Sequence, residues 1–356
     1  MVNNQIMKWF DANALWLSML IGALLYPWLL PLKPLLPWLI FFMLFFTFCK
    51  VNPLDLRLHK WHWVVLATQL FFSFVSYTGI MYLTSNRILA QGILMCFIMP
   101  TATAAPIIAG KMGGSIQNLT TFTLLSNFAT AIIVPATFPL INGELSTLNY
   151  QLSTTFWPAF LLILSRIAPL LLGPFFSAWL LRIGYNYYQR RKYNSLPFRE
   201  GVGVGSPRQF ELPKSLAVIP FYLWVASIIV LSAVVTETTV TNYQLQMTNI
   251  LILLVSSFFA CLLQFGLGKL IGYYLPAPSK GRDYQDVLIN PAAAPKTMAG
   301  VSSITAGQAF GQKNTSLGVW MAQTFLDPLS ALGAAAYIIW QNIFNSVQLF
   351  VVAHKK

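Results

Sequence analysis

The chain is 356 residues long, 56% hydrophobic and 9% charged, with 22 basic against 9 acidic residues and a formal net charge of +13. Uncharged runs long enough to cross a hydrocarbon core recur from end to end, which excludes an ordinary soluble domain and predicts an all-α polytopic membrane protein. The positive excess then reads as topology and attraction to anionic lipid head groups, and nucleic acid is not an expected partner.

In chain order, ten spans are predicted, at roughly 13–30, 35–50, 63–84, 88–110, 117–140, 155–182, 215–235, 248–275, 294–323 and 327–352. The first lacks the short apolar core and small-residue cleavage site of a signal peptide and is read as a retained helix. The alternation of a β-barrel is absent. Lys50, Arg57, Lys60, Lys111, the cluster from Arg182 to Lys214, Lys280, Arg282, Lys296, Lys355 and Lys356 fall on one side, against Lys33 and Arg87 on the other. That bias places both termini in the cytoplasm, which requires an even number of spans. Trp9, Trp28, Trp38, Trp61 and Trp63 fall near predicted span ends, where indole anchors belong. Cys49, Cys96 and Cys261 show no disulfide or zinc spacing and are expected as free thiols.

A polar stretch at 186–215 and a quiet loop at 143–154 divide the chain into two five-helix units, 1–145 and 155–356. An odd number of spans per unit makes the units inverted. The fourth span of each is interrupted, by "MPTATAAP" (99–106) in the first and by "GQAFGQKNTSLG" (307–318) in the second. Unwinding a helix in lipid exposes amides and carbonyls that protein, ion or water must satisfy, so matched breaks point to a transport site.

Asp11, Asp55, Glu144, Glu200, Glu211, Glu237, Asp283 and Asp286 are placed in loops or termini, and Asp327 at the outer start of the last span. With no acid at mid-membrane, Lys313 must shed its proton, borrow carbonyls and amides such as those of Gln308, Gln312 and Asn314, or hold an anionic ligand. The helices that restart near Pro106 and Thr315 are expected to present free N–H groups and their positive dipole ends to the gap. The expected anion-binding set is therefore Thr101, Thr103, Pro106, Gln308, Lys313, Asn314 and Thr315. Arg166, in "LLILSRIAPLLLGPF", either lines the same cavity or snorkels outward, and Lys269 is read as snorkelling. His59, His62 and His354 are too dispersed for a metal site or a catalytic dyad. "GVGVGS" (201–206) lacks the Lys-Ser/Thr of a phosphate loop and reads as a linker, so no catalytic residue is expected.

At the two interruptions the sequence resembles the bile acid:sodium symporter family, in its bacterial branch: ten-helix, inverted-repeat transporters of organic anions and small acids. The similarity covers most of the chain and is strongest at 91–127 and 310–346. It implies a core domain (63–142 and 248–352) and a panel domain (13–50 and 155–235, with a cytoplasmic loop at 183–214). It also implies that the fourth and ninth helices are broken and cross at the substrate and sodium sites. The family's fourth-span break commonly reads Pro-Gly-Gly-Thr-x-Ser-Asn; Pro100 and Thr103 match it, but Ala105 and Pro106 stand at the sodium-ligand positions. Thr123 is similar to a fifth-span Thr ligand, with Leu119 at its companion Ser position, and Gln69 to a third-span Gln. In the ninth span Ala309 stands where the family has Glu and Lys313 where it has Gln; Asn314 matches, and Thr315 replaces Ser.

The resemblance thus implies secondary active transport of an organic anion by alternating access, in a bacterial inner membrane, with substrate and lipid as partners and no cofactor beyond a possible ion. A lysine ammonium delivers one positive charge where the family lodges sodium, so Lys313 is expected to substitute for the ion. Gln69, Thr103, Thr123, Gln312, Lys313 and Asn314 form the implied ion-coupling set. Sodium-coupled symport through the neutral groups of Thr103, Thr123, Gln69, Asn314 and Thr315 and backbone carbonyls is the alternative, and a membrane-embedded enzyme a remote one. Oligomeric state leaves no signal in the sequence.

Overall fold

The structure, a computed structural model, describes residues 2–51, 56–141, 156–194, 210, 212–213, 216, 218–277 and 294–354. These residues form α1 (Val2–Leu24), α2 (Tyr26–Leu29), a short 3-10 turn (Leu30–Leu35), α3 (Leu36–Phe48), α4 (Lys60–Thr84), α5 (Arg87–Ile98), α6 (Ala105–Lys111), α7 (Ile116–Ile141), α8 (Phe156–Asn194), α9 (Ile219–Tyr274), α10 (Ala294–Gly311), α11 (Thr315–Phe325), a second 3-10 turn (Pro328–Ser330) and α12 (Ala331–His354). No β-strand occurs among the described residues. Seven helical stretches are long and apolar enough to cross a membrane: Tyr26–Phe48, Lys60–Thr84, Ile116–Ile141, Phe156–Gln189, Ile219–Thr241, Met247–Tyr274 and Pro328–Val352. Asn13–Leu24 and Arg87–Ile98 are apolar but shorter. The chain is an all-α protein of multi-pass membrane character.

Burial separates inner from outer helices. Ile116–Ile141 has 56% of its most apolar window buried against 22% for Lys60–Thr84, which puts α7 at the centre of the bundle and α4 at its rim. The inner face of α7 is correspondingly polar, with Asn118, Thr121, Thr123, Ser126, Asn127 and Thr130 all buried. At the rim, Trp28 (75% exposed), Phe71 (60%) and Phe259 (60%) face outward, as side chains solvated by lipid do.

α9 packs on α1, α3, α10 and α12; α4 packs on α5, and α7 and α3 on α8. Helix backbones approach closely where side chains vanish. A Cβ on Gly333 of α12 would collide with the Gly92 carbonyl of α5, so the α5–α12 contact is a glycine-to-glycine crossing.

Three expectations are corrected here. The first two spans do not meet at 31–34: α1 ends at Leu24 and helix runs from Tyr26 through a 3-10 turn to Phe48. Proline at the start of each segment removes amide donors that a helix start leaves unbonded anyway, so the chain stays helical through "YPWLLPLKPLLP". Glu237 lies not in a loop but within Ile219–Thr241, half-buried. The helix outruns its predicted end at 235 while the hydroxyls of Thr238, Thr239 and Thr241 donate back to the carbonyls of Val234, Val235 and Glu237. Trp61 is 1% exposed, whereas Trp28, Trp38 and Trp63 are 75%, 61% and 53% exposed. Its ring packs on His62 and Phe122 at centroid distances of 4.0 and 5.7 Å, which makes it a joint between α4 and α7 rather than an interfacial anchor. Trp9 falls in α1. The expected loop acids Asp55, Glu144, Glu200, Glu211, Asp283 and Asp286 lie outside the described residues. Cys49, Cys96 and Cys261 are free thiols.

Candidate functional site: a backbone bridge between two helix interruptions

The helical run of α5 stops at Ile98 and resumes as α6 at Ala105; that of α10 stops at Gly311 and resumes as α11 at Thr315. The two gaps meet. Thr101 and Lys313 form an isolated antiparallel bridge, in which Ala102 N–H donates to the Gln312 carbonyl at 2.9 Å and Asn314 N–H to the Pro100 carbonyl at 2.7 Å.

A bridge of this kind leaves a definite set of backbone groups without helical partners. The amide of Thr101, which would have returned to the Phe97 carbonyl, instead donates to Ser126 Oγ on α7 at 3.1 Å. Likewise the amide of Lys313, which would have returned to the Ala309 carbonyl, donates to Gln341 Oε1 on α12 at 2.9 Å. The two carbonyls abandoned in this way are each taken by the side chain of the opposite gap. Thr101 Oγ1 donates to the Ala309 carbonyl at 2.6 Å, and Lys313 Nζ donates to the Phe97 carbonyl at 3.1 Å. Two positions before each bridge residue the pattern repeats: Gln69 Nε2 donates to the Met99 carbonyl at 3.0 Å and Tyr337 Oη to the Gly311 carbonyl at 2.7 Å.

Each of these contacts on one gap therefore has a counterpart at the same offset on the other. The lysine is the exception in chemistry only, since an amine stands where its counterpart is a hydroxyl. Lys313 is 1% exposed and Thr101 fully buried. The amine caps the C-terminal end of α5, where carbonyls point outward and accept a donor, and the Phe310 ring lies 5.1 Å from Nζ. The lysine borrows a carbonyl, but that of Phe97 rather than a group of Gln308, Gln312 or Asn314.

The remaining expected residues divide. Asn314 caps α11, its Oδ1 accepting from Leu317 N–H at 3.3 Å, and Thr315 N–H donates to the Lys313 carbonyl at 3.0 Å. Pro106 is buried in the first turn of α6. Five N–H groups at the two restarts are engaged: those of Ala105 and Ile107 by the Ala102 and Ala104 carbonyls, and those of Thr315, Leu317 and Gly318 by Lys313 and Asn314. Tight turns at both restarts supply these acceptors locally, which narrows the expected anion cradle. Gln69, Gln308 and Gln312 are buried close to the bridge. Thr103 is half-buried in the turn after the bridge, and Thr123 donates to its own helix at the Leu119 carbonyl.

Arg166 is not at the bridge. It is exposed, and lines a recess of about 460 Å³ with Lys33, Pro34, Pro37, Trp320 and Thr324. Two of those six residues are cations and none is an acid. Ser126, Tyr337 and Gln341 are missing from the expected set. Tyr337, Gln341 and Asn345 fall at i, i+4 and i+8 on the last helix, and that polar stripe in an otherwise apolar span was the legible signal for two of them.

No known protein family and no curated protein matches this chain.

Proposed function

We propose that the protein is a secondary active transporter for an organic anion, working by alternating access around the Thr101–Lys313 bridge. On this reading α5–α6 and α10–α11 are the broken fourth and ninth of ten membrane spans, arranged as two inverted five-helix repeats, and both termini are cytoplasmic. The observation that carries the proposal is the exchange of side-chain hydrogen bonds across the bridge, with a lysine amine buried on the end of α5. Equal offsets on the two strands are what an inverted repeat produces, and irregular backbone at membrane depth is characteristic of transport sites.

The geometry favours Lys313 as a fixed replacement for a coupling ion over Lys313 as a direct substrate contact. Its amine meets a carbonyl that a bound cation would neutralise, and the lysine is 1% exposed. The anion then approaches through the recess of Lys33 and Arg166, where Trp320 and Thr324 of α11 face the α2–α3 corner and α8. Rocking of a core (63–142 and 248–352) against a panel (13–50 and 155–235) would relay occupancy of that recess to the bridge.

Sodium coupling is the second reading, favoured by two amide oxygens of the expected ligand set, Gln69 Oε1 and Gln312 Oε1, which are buried with no hydrogen-bond partner among the described residues. Asn314 Oδ1 and the Thr123 hydroxyl are engaged elsewhere, which leaves a thin donor set. Uptake of radiolabelled organic acids into proteoliposomes separates the two. The expected result is uptake in choline equal to that in sodium, and its loss in Lys313→Gln. Strict sodium dependence of the unmodified protein would move the assignment to sodium symport.

A further inference from the structure

On the α6 and α12 side of the bridge, four amide side chains stand in a column, Gln341, Asn345, Gln308 and Gln348. Gln341 accepts from the Lys313 amide; one turn further along α12, Asn345 Oδ1 accepts from Gln308 Nε2 of α10 at 3.1 Å. Gln308 Nε2 also lies 3.7 Å from Met112 Sδ, just past α6. Gln308 and Asn345 are 1% and 4% exposed. Three atoms in this column, Gln308 Oε1, Asn345 Nδ2 and Gln348 Nε2, are buried and have no hydrogen-bond partner among the described residues.

Rotating the amides does not repair this. An amide carries both an acceptor and two donors, so turning over Gln308 and Asn345 together preserves the bond between them and leaves the other ends unpaired instead. Buried polar groups without partners are rare because each costs roughly 1–3 kcal/mol, and in a polar crevice the usual partner is an ordered water. Gln341, Asn345 and Gln348 lie within two turns on one face of α12, spanning roughly 10 Å from the level of the bridge toward the helix end at His354. Gln323 on α11, beyond the bridge, needs no such partner, since its Nε2 donates both to Thr238 Oγ1 and to the Pro328 carbonyl at 3.1 Å.

We infer that the seam between α10, α12 and Met112 holds a file of ordered water and is the aqueous route to the bridge from the end of the bundle that carries His354. The inference stands on the amide geometry and does not require transport, so its failure and that of the proposed function are separate events.

The test uses the full chain in lipid nanodiscs. Hydroxyl radicals generated by brief radiolysis of water oxidise methionine where water is present, and Met112 and Met43 are equally shielded, each 5% exposed. Met43 belongs to the inner face of α3 with Ile40 and Leu44. A wet seam converts Met112 to sulfoxide about tenfold faster than Met43; equal rates overturn the inference. As a second measurement, Asn345→Cys should react with a small water-soluble thiosulfonate about tenfold faster than Phe344→Cys, whose position packs against Phe258 and Phe265. Equal labelling of the two in folded protein also overturns it, and should either variant fail to fold, the methionine ratio in the unmodified chain decides.

Discussion

Thr101→Val isolates one bond of the bridge. Valine has the shape of threonine and suits the extended backbone there, so packing changes little and a single donor is lost. The Ala309 carbonyl then has no alternative, because the amide that would have served it in a continuous helix, that of Lys313, is held by Gln341 Oε1. Leaving a buried acceptor unsatisfied costs about 1–3 kcal/mol in protein interiors, while interhelical bonds in membrane proteins average nearer 0.6 with a ceiling near 1.7 kcal/mol. Full burial of Thr101 and the absence of a second donor place the expectation near the membrane ceiling, at about 1–1.5 kcal/mol. For a protein of this size that corresponds to a fall of roughly 1–2 °C in apparent Tm, measured by intrinsic fluorescence in one detergent at one scan rate. Thr103→Val is the control, because the Thr103 side chain sits half-buried in the turn and surface-like substitutions stay within about 0.5 kcal/mol. A neutral Thr101→Val, or a Thr103→Val that costs more, would refute the assignment of the hydroxyl to the end of α10.

Other outcomes follow from the same contacts. Ser126→Ala orphans the Thr101 amide and should cost about 1 kcal/mol, with Gln341→Leu doing the same to the Lys313 amide; paired unfolding measurements should find the two losses alike within about 0.5 kcal/mol. Gly272→Val places a branched side chain against the Ser302 carbonyl where α9 meets α10, and should abolish the monodisperse peak in size-exclusion chromatography, whereas Gly79→Val, at a position with open space, should not. Burial holds the His59 imidazole below its usual value, aided by the Arg57 charge and opposed by a hydrogen bond to the Asn118 side chain. The unfolded chain therefore takes up this proton first as pH falls, and stability is lost below a pH of about 6.5. Apparent Tm should decline as pH falls below about 6.5, and His59→Gln should reduce the slope; an unchanged slope removes His59 from the account.

The sequence by itself determined the solvent of this protein and the places where its helices fail. Apolar runs of spanning length fix a helical membrane chain because only internally bonded backbone survives in hydrocarbon. The breaks at 99–106 and 307–318 were legible from proline, glycine and polar residues in runs that are otherwise apolar, and Lys313 from its lack of any neighbouring acid. What the gaps do to one another was not legible. Which carbonyl receives the lysine amine, that Thr101 returns the favour at the same offset, that Ser126, Tyr337 and Gln341 complete the set, and that Arg166 belongs to a separate recess all depend on helices distant in sequence. Local propensity marks where backbone groups lose their own helix, but only tertiary packing selects their new partners, because an orphaned carbonyl is satisfied by whichever donor the fold carries to within about 3 Å.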